Sequence, residues 1–152
     1  MSKTVPFDVT ETVRDACLCL HAQRAARALA RHCDVALKPV GLTSGQFSLL
    51  MSLNRPEPPS LGSVASLLAM DRTTLTANLK PLERLGLVET AHDSKDKRTR
   101  LLRLTRAGRA KLTKAVLIWE RTHARIEASL GKSRPDDVRA ALNLLSAISM
   151  QA

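Results

Sequence analysis

Aromatic side chains are almost missing from this 152-residue sequence, which has no tyrosine, two phenylalanines and one tryptophan. Proteins that hold single-stranded nucleic acid stack its bases on such rings, so a single-strand platform is disfavoured. Acidic residues are also few, with 14 against 24 lysines and arginines, and the formal net charge is +10. This excess predicts a polyanionic partner, with double-stranded DNA ranked first and an anionic membrane surface second.

The sequence also has no apolar run that approaches the roughly 20 residues of a membrane span. Residues 1–6 lack the pattern of a secretory signal, so we expect a cytoplasmic protein with no membrane partner. The three cysteines form an odd set without a disulfide pattern, which fits a reducing compartment. Catalytic motifs, a phosphate-binding loop and metal-ligand spacing are missing as well. We therefore expect neither an enzyme nor a bound metal or cofactor.

The middle of the sequence is its most informative part, because it predicts a helix, a turn and a second helix. Ser60 is a suitable N-cap for a helix over Leu61–Ala69. Asp71 is a suitable N-cap for a second helix over Arg72–Leu85, and Gly86 is suited to end that helix with a positive φ. The second helix has leucines at a spacing of three and four, which predicts one apolar face formed by Leu75, Leu79, Leu82 and Leu85.

The opposite face of the second helix has short or basic side chains rather than the glutamates and lysines of an ordinary solvent face. Short donors and acceptors suit base edges, and basic side chains reach phosphates. We expect seven residues to approach the major groove of DNA: Arg72, Thr73, Thr74, Thr76, Ala77, Asn78 and Lys80. Pro81 removes one backbone hydrogen bond and can bend the helix near Ala77, but the helix should continue through it.

A charged β-hairpin is predicted to follow the second helix. Leu87–His92 and Arg100–Leu104 have the composition of two short strands, Asp93–Arg98 is a polar turn, and Thr105 can cap a further helix. Helix, turn, helix and hairpin together form a winged helix, whose second helix enters the major groove while the wing reaches the adjacent minor groove. The wing residues expected at DNA are Lys95, Lys97 and Arg98. Between Ser60 and Lys111 there are 11 basic and five acidic residues, so +6 of the +10 lies in this segment.

These residues resemble the multiple-antibiotic-resistance regulator (MarR) family. The resemblance is carried by Asp71–Leu75, by Leu82–Val88, and by Asp96–Arg98 followed by Leu104–Gly108. The last pair matches the family's wing pattern of Asp-x-Arg, five residues and Leu-Thr. The resemblance implies a bacterial transcription regulator that binds a palindromic operator as a homodimer and usually represses. It also implies that Arg98 enters a narrow minor groove. From the sequence spacing, we expect the carboxylate of Asp96, two residues earlier, to hold the Arg98 guanidinium in place.

Amphipathic helices flank the winged helix on both sides. We predict one long helix over Asp8–Leu37, a capping box at Thr43–Gln46, a long helix from Thr105 to about Leu130, and a last helix that starts at Pro135. The predicted fold is mainly α with a small β-hairpin wing, in a single domain over residues 1–152. Residues 42–104 would form the DNA-binding region. Residues 8–38 and 105–152 would form a helical dimerisation region.

A small-molecule effector is expected to release such a regulator from its operator. It would bind where the first helices and the long helix after the wing meet the winged lobe, and candidate lining residues are His21, Arg24, Phe47 and Met51. A small organic acid or an aromatic metabolite is the favoured class. A protein that coats the nucleoid without sequence preference is an alternative that explains the charge but not the amphipathic flanking helices.

Cysteine-based redox sensing is the other alternative. Cys19 stands 22 residues before Gly41, as does the reactive cysteine of the organic-hydroperoxide-sensing (OhrR) branch that this chain resembles. That branch uses tyrosines around the thiolate, and this chain has Cys33 and Ser44 at those places. On one regular helix Cys17 and Cys19 would point apart. We therefore expect Cys19 to be a buried, inert thiol, and the redox sensor to be the second choice.

Overall fold

The computed structural model describes residues 4–148, which form seven α-helices, one short 3₁₀ helix and a two-stranded antiparallel sheet. The helices are α1 (Phe7–Ala16), α2 (Leu18–Leu37), α3 (Ser44–Ser52), α4 (Leu61–Leu67), α5 (Arg72–Arg84), α6 (Arg106–Ser129) and α7 (Pro135–Ser146), and the 3₁₀ helix is Lys38–Val40. The strands are β1 (Val88–His92) and β2 (Arg100–Leu104). This order confirms the predicted mainly helical fold with a hairpin wing. Among the described helices, none is both long enough and apolar enough to cross a membrane.

The hydrophobic core lies inside the winged helix, between α3, α4, α5, the hairpin and the adjoining parts of α2 and α6. Leu50, Leu75, Leu82 and Leu102 have no solvent-exposed surface there. Complete burial of each such side chain contributes about 1.5–3 kcal/mol to folding. Because α5 and β2 both supply core leucines, the core fixes the position of the second helix relative to the wing.

The wing is fastened at its base to the chain that precedes α4. β1 and β2 pair in register from Val88 opposite Leu104 to His92 opposite Arg100. On the other side of β2, the backbone N–H of Leu102 donates to the Pro59 carbonyl at 2.9 Å, and Ser60 forms an isolated bridge with Leu101. β2 is therefore hydrogen-bonded on both edges, which stiffens the hairpin where it meets α4.

The junction between the wing and α6 requires a glycine. The hydroxyl of Thr105 donates to the Gly86 carbonyl at 2.6 Å and accepts the backbone N–H of Gly108 at 3.0 Å. A Cβ atom at position 108 would overlap the backbone carbonyl of Leu87, so only glycine allows α6 to start this close to β1. Thr105 thus caps α6, as predicted, and also ties it to the end of α5.

Two sequence predictions about the helices are wrong. The helix predicted over Asp8–Leu37 is interrupted at Cys17, whose backbone is extended (φ −74°, ψ 105°) and whose Sγ accepts the N–H of Leu20 at 3.5 Å as the N-cap of α2. Leu85 was expected on the buried face of α5, but it is the C-cap residue and is 60% exposed, because the chain turns away at Gly86 with φ +67°.

The other helix signals are confirmed. The side chains of Thr43 and Gln46 form the predicted capping box, in which each accepts the backbone N–H of the other. α5 continues through Pro81, and Gly131 follows the end of α6 with φ +60°. Pro81 itself is half-buried, and the adjacent Leu79 and Leu82 anchor this part of the helix in the core.

The two terminal helices are not covered by the rest of the chain. Neither α1 nor α7 buries a single residue, although both are amphipathic. Phe7 on α1 is 73% exposed and Leu144 on α7 is 74% exposed. α7 is held to α6 by the Arg139 guanidinium, which donates to Glu127 at 2.6 Å and lowers the pKa of that carboxyl. The apolar surface of both helices therefore faces solvent in the single chain.

Candidate nucleic-acid interface

The recognition helix α5 begins after an aspartate N-cap, whose two carboxylate oxygens both accept hydrogen bonds. Asp71 accepts the backbone N–H of Thr74 at 2.7 Å on one carboxylate oxygen and the Thr74 hydroxyl at 2.7 Å on the other. The Thr74 hydroxyl, followed by its backbone N–H, holds the pKa of Asp71 below its ordinary value. The carboxylate of Asp71 is thus committed to the cap and is not available to pair with the neighbouring Arg72.

Opposite its buried leucines, α5 presents the face predicted to read DNA. Six of the seven predicted residues are exposed, namely Arg72, Thr73, Thr74, Ala77, Asn78 and Lys80, and Thr76 is half-buried. Some of their polar groups are already engaged. The Thr76 hydroxyl donates to the Arg72 carbonyl at 2.8 Å, and the Asn78 amide donates to the Met70 sulfur at 3.7 Å. The donors of Arg72, Thr73 and Lys80 are the freest on this face.

The wing turn uses its acidic side chains to hold its own backbone. Asp93 accepts the N–H of Lys95 at 2.9 Å, and Asp96 accepts the N–H of Arg98 and the hydroxyl of Thr99, both at 3.0 Å. Lys95, Lys97 and Arg98 are all exposed. The expectation that Asp96 holds the Arg98 guanidinium is wrong, since the carboxylate holds the Arg98 backbone instead. In residues 4–148 no carboxylate lies within 4.0 Å of that guanidinium.

A cleft between α5 and the wing contains residues that sequence reasoning missed. We call it the arginine cleft; it has a volume of about 220 Å³ and is lined by Ser60, Leu61, Gly62, Arg72, Arg98, Thr99 and Arg100. Arg100 and Gly62 were not among the predicted DNA-binding residues. The only sequence signal for Arg100 is its position at the start of a strand that follows a basic turn. No sequence signal brings Gly62 beside Arg72.

The four predicted effector residues fall in two different places. Phe47 and Met51 line an apolar cavity of about 400 Å³ between α3, α4 and α6, together with Trp119, and we call it the tryptophan cavity. His21 and Arg24 lie instead along a separate open groove on α2. Trp119 was not among the candidates, although it is the only tryptophan in the sequence.

Trp119 forms the aromatic wall of the tryptophan cavity. Its ring stacks on Phe47 with centroids 6.3 Å apart and on His123 with centroids 4.8 Å apart. His123 lies 3.1 Å from Glu127, the same carboxylate that accepts Arg139 of α7. A continuous series of side chains therefore joins the cavity wall to the last helix.

The cysteines differ from the sequence prediction. Cys19 is exposed in the single chain rather than buried, and its sulfur accepts the Gln23 amide at 3.2 Å. Cys17 lies at the break between α1 and α2, so the two cysteines do not share one regular helix. Burial, with a smaller contribution from Asp34, raises the pKa of the Cys33 thiol. Cys33 is therefore poorly suited to form a thiolate.

Known proteins match both the sequence and the fold. A family profile described as a winged helix DNA-binding domain matches residues 42–108. The crystal structure of the M. tuberculosis transcriptional regulator MosR with DNA is 38% identical, with a TM-score of 0.78 over 86% of this chain and 93% of that chain. The transcriptional repressor CouR bound to a 23-mer DNA duplex is 29% identical, with a TM-score of 0.73 over 88% and 93% of the two chains. CouR bound to p-coumaroyl-CoA is 25% identical, with a TM-score of 0.78 over 91% and 96%.

A sequence relative, the transcriptional activatory protein BadR of Rhodopseudomonas palustris, is 36% identical over 77 residues. These residues are 49% of this chain and 44% of BadR, so this chain spans less than half of that relative. The match to MosR, in contrast, extends over nearly the whole of both chains and includes the helices that flank the wing. On the fold, the capped recognition helix, the wing and these relatives, the chain belongs to the MarR family of DNA-binding transcription regulators.

Proposed function

We propose that this protein is a homodimeric repressor that binds a palindromic operator in double-stranded DNA and is released by a small-molecule effector. The observation that carries the DNA-binding role is the exposed surface that α5 and the wing form together. It combines short polar groups with cations, and the carboxylates of Asp71, Asp93 and Asp96 are occupied by backbone and hydroxyl groups. The description of CouR as a repressor supports the sign of regulation.

The helix α5 and the wing would contact different grooves of the DNA. We assign the major groove to α5, with Thr73, Ala77 and Asn78 facing base edges and Lys80 facing phosphates. Thr74 and Thr76 would contribute through their free acceptor capacity, because both hydroxyl protons are donated within the chain. Arg98 would enter the minor groove, with Lys95 and Lys97 contacting phosphates beside it.

The partner of α1 and α7 in this proposal is a second copy of the chain. Two helices that bury none of their own residues gain stability only when their apolar faces are covered. A palindromic operator requires two reading heads related by two-fold symmetry, and a dimer supplies them. Residues 8–38 and 105–152 would thus form the dimerisation region, and residues 42–104 would read DNA.

An aromatic carboxylic acid or its thioester is the effector class that we propose. The tryptophan cavity is within the size range of small-molecule sites, is lined mainly by apolar groups, and offers the face of Trp119. The p-coumaroyl-CoA bound by CouR belongs to this class. His21 and Arg24 remain candidates for the anionic part of the ligand, since their groove also contains Arg27 and Arg31.

Redox sensing through Cys19 is a second candidate, and one observation favours it. The interruption at Cys17 removes the geometric objection that both cysteines lie on one regular helix, and Cys19 is open to solvent. Against it, the side chain that donates to the Cys19 sulfur is the neutral Gln23 amide rather than a cation. Reactive thiolates are stabilised by positive charge, so this environment favours the small-molecule effector.

The wing assignment predicts different effects for two adjacent cations. Arg98→Ala should weaken operator binding by about 1–3 kcal/mol, because an arginine is lost from a narrow groove. Lys97→Ala should lower affinity alike on all sequences and reduce the salt slope by about one, as expected for one phosphate contact. Fluorescence anisotropy at several salt concentrations measures both, with Lys114→Ala on α6 as the control. Negligible effects of both wing variants would mean that the hairpin does not touch DNA.

The dimer assignment predicts that polar side chains on α7 separate the two reading heads. The double variant Leu142→Gln/Leu145→Gln should sediment as a monomer at micromolar concentration and lose operator binding. Both leucines are partly exposed, at 44% and 38%, so the single chain should still fold. Leu85→Gln, which changes a leucine of the winged lobe that is 60% exposed, should remain dimeric. A stable, folded monomer in the unmodified protein would contradict the proposal.

The effector assignment can be measured without a label, because Trp119 is the only tryptophan. Titration with p-coumaroyl-CoA should change the Trp119 emission, whereas free coenzyme A should not. Phe47→Leu should weaken this binding by about 0.5–1.5 kcal/mol through loss of ring stacking. Phe7→Leu, which replaces the other phenylalanine of the chain, should leave it unchanged. Equal behaviour of the two variants would place the ligand outside the tryptophan cavity.

An oxidation assay distinguishes regulation by a small molecule from redox sensing through Cys19. We expect an organic hydroperoxide at stoichiometric amounts to leave the wild type and Cys19→Ser equally bound to the operator, because the side chain that donates to the Cys19 sulfur is a neutral amide. Anisotropy of a labelled operator follows the release. If the wild type is released while Cys19→Ser resists, the redox sensor replaces the small-molecule regulator as the favoured function.

A further inference from the structure

We propose that the arginine cleft is a binding site for one backbone phosphate of the DNA, held by Arg72 and Arg100, and that Gly62 keeps the site open. The proposal rests on DNA binding by α5 and the wing and adds a contact that neither element makes alone. It also gives Arg72, so far only expected near the major groove, a specific role as a phosphate ligand at the edge of that groove.

The position of the cleft follows from how a winged helix meets DNA. When a recognition helix occupies the major groove and a wing the adjacent minor groove, one sugar–phosphate strand must pass between them. The arginine cleft lies at that place, since its walls are the first residue of α5, the start of β2 and the first turn of α4. The DNA strand that separates the two grooves would therefore run over its mouth.

The charge of the cleft fits a phosphate. Three arginines, Arg72, Arg98 and Arg100, line this one small cleft, and within the described chain no carboxylate oxygen lies within 4.0 Å of any of their guanidinium nitrogens. Asp71 and Asp96 are the acidic residues nearest to these arginines in the sequence. Asp71 accepts a hydrogen bond in the α5 cap, and Asp96 accepts one in the wing turn. Converging like charges without a counter-ion repel one another, and an anion between them removes that repulsion. Arginine is also the side chain whose geometry best matches phosphate oxygens.

The size of the cleft selects a phosphate group over an organic molecule. Its volume of about 220 Å³ is below the roughly 300–1,000 Å³ of small-molecule sites. The walls are also stiff, because β2 is hydrogen-bonded to Pro59 and bridged at Ser60. A site that is small, rigid and cationic is suited to a compact anion. A backbone phosphate enters it without ordering any flexible segment.

Gly62 has no conformational reason to be a glycine, which points to a steric one. It lies in α4 without a positive φ, and glycine weakens a helix relative to alanine. A Cβ atom at this position would lie 3.0 Å from Nη2 of Arg72, so the guanidinium rests against the bare backbone. An alanine would push the guanidinium away by a few tenths of an ångström without touching any backbone. Gly62 is thus a positioning residue for Arg72.

Two arginines on the same strand provide the first test. Arg100 faces the arginine cleft, whereas Arg103 is on the opposite face of β2, 3.7 Å from Glu89. Binding to a mixed-sequence duplex of about 25 base pairs is measured over a series of salt concentrations, because phosphate contacts are independent of sequence. Arg100→Ala should reduce the slope of log K against log salt by about 0.9 per DNA-bound subunit, and Arg103→Ala should leave it unchanged. Equal changes in both variants would mean a general charge effect and would overturn the proposal.

Two helical glycines provide the second test. Gly62→Ala should lower DNA affinity, and it should have no further effect in the background of Arg72→Ala. Gly45→Ala in α3, where a Cβ atom would meet nothing within 4 Å, should leave affinity at the wild-type value. Thermal melts followed by circular dichroism check that each variant is folded. Additive losses for Gly62→Ala and Arg72→Ala would contradict the positioning role.

A third measurement separates DNA phosphate from free phosphate as the ligand. If the cleft serves a free anion, inorganic phosphate at constant ionic strength should raise the melting temperature of the wild type but not of Arg100→Ala. In that case Arg100→Ala should also keep the wild-type salt slope, and this pair of results overturns the proposal. A wild type that shows no salt-dependent binding to any duplex would instead contradict DNA binding itself.

Discussion

The hydrophobic core that α5 shares with the hairpin is the constraint on which the DNA-binding surface depends. A recognition helix and a wing must reach two adjacent grooves at once, so their separation cannot vary freely. Leu75, Leu82 and Leu102 meet in the core with no exposed surface. The hydrogen bond from Leu102 to Pro59 adds a second restraint from the chain before α4. Through these contacts, a core built mainly of aliphatic side chains sets the spacing of the reading elements.

The basic surface results as much from the use of acidic side chains as from the number of basic ones. Asp71, Asp93 and Asp96 are all near arginines or lysines in sequence, yet each accepts hydrogen bonds from backbone N–H or hydroxyl groups. These contacts start α5 and shape the wing turn. Within the described chain these carboxylates form no ion pair within 4.0 Å with the neighbouring cations, whose donors stay open to phosphate. The same residues therefore stabilise local structure without engaging the basic side chains.

The flanking helices would convert two DNA-reading lobes into one regulator. In the proposed dimer the exposed apolar faces of α1 and α7 meet those of a second copy, and the tryptophan cavity lies beside that assembly. The stacked pair of Trp119 and His123, followed by Glu127 and Arg139, links the cavity to α7 through direct contacts. A ligand that moves Trp119 would act on the element that sets the distance between the two lobes.

Local signals in the sequence predicted the winged helix well. The caps at Asp71 and Thr105 and the leucine spacing of α5 involve residues within a few positions of one another, so their physics is visible in the chain order. The break at Cys17 was missed because a sulfur N-cap carries no strong sequence signature. Leu85 was misassigned because periodicity does not show where a helix turns away from its core.

The contacts that sequence reasoning could not predict join distant segments. Gly62 and Arg72 meet only because α4 and α5 pack together, and Arg100 joins them only because β2 pairs with the chain at Pro59 and Ser60. The separation of His21 and Arg24 from Phe47 and Met51 likewise depends on how α2 lies against α3 and α6. Such contacts require the tertiary structure.

The central claim, that this chain reads a discrete operator, is tested most directly by footprinting the purified protein on genomic DNA. We expect the protein to protect one or a few palindromic segments, each with two half-sites about 10–10.5 base pairs apart or a multiple of that spacing. This pattern should persist at salt concentrations that abolish binding to unrelated sequence. Uniform coverage with no preferred segment at any salt concentration would contradict the account and indicate a nucleoid-coating protein.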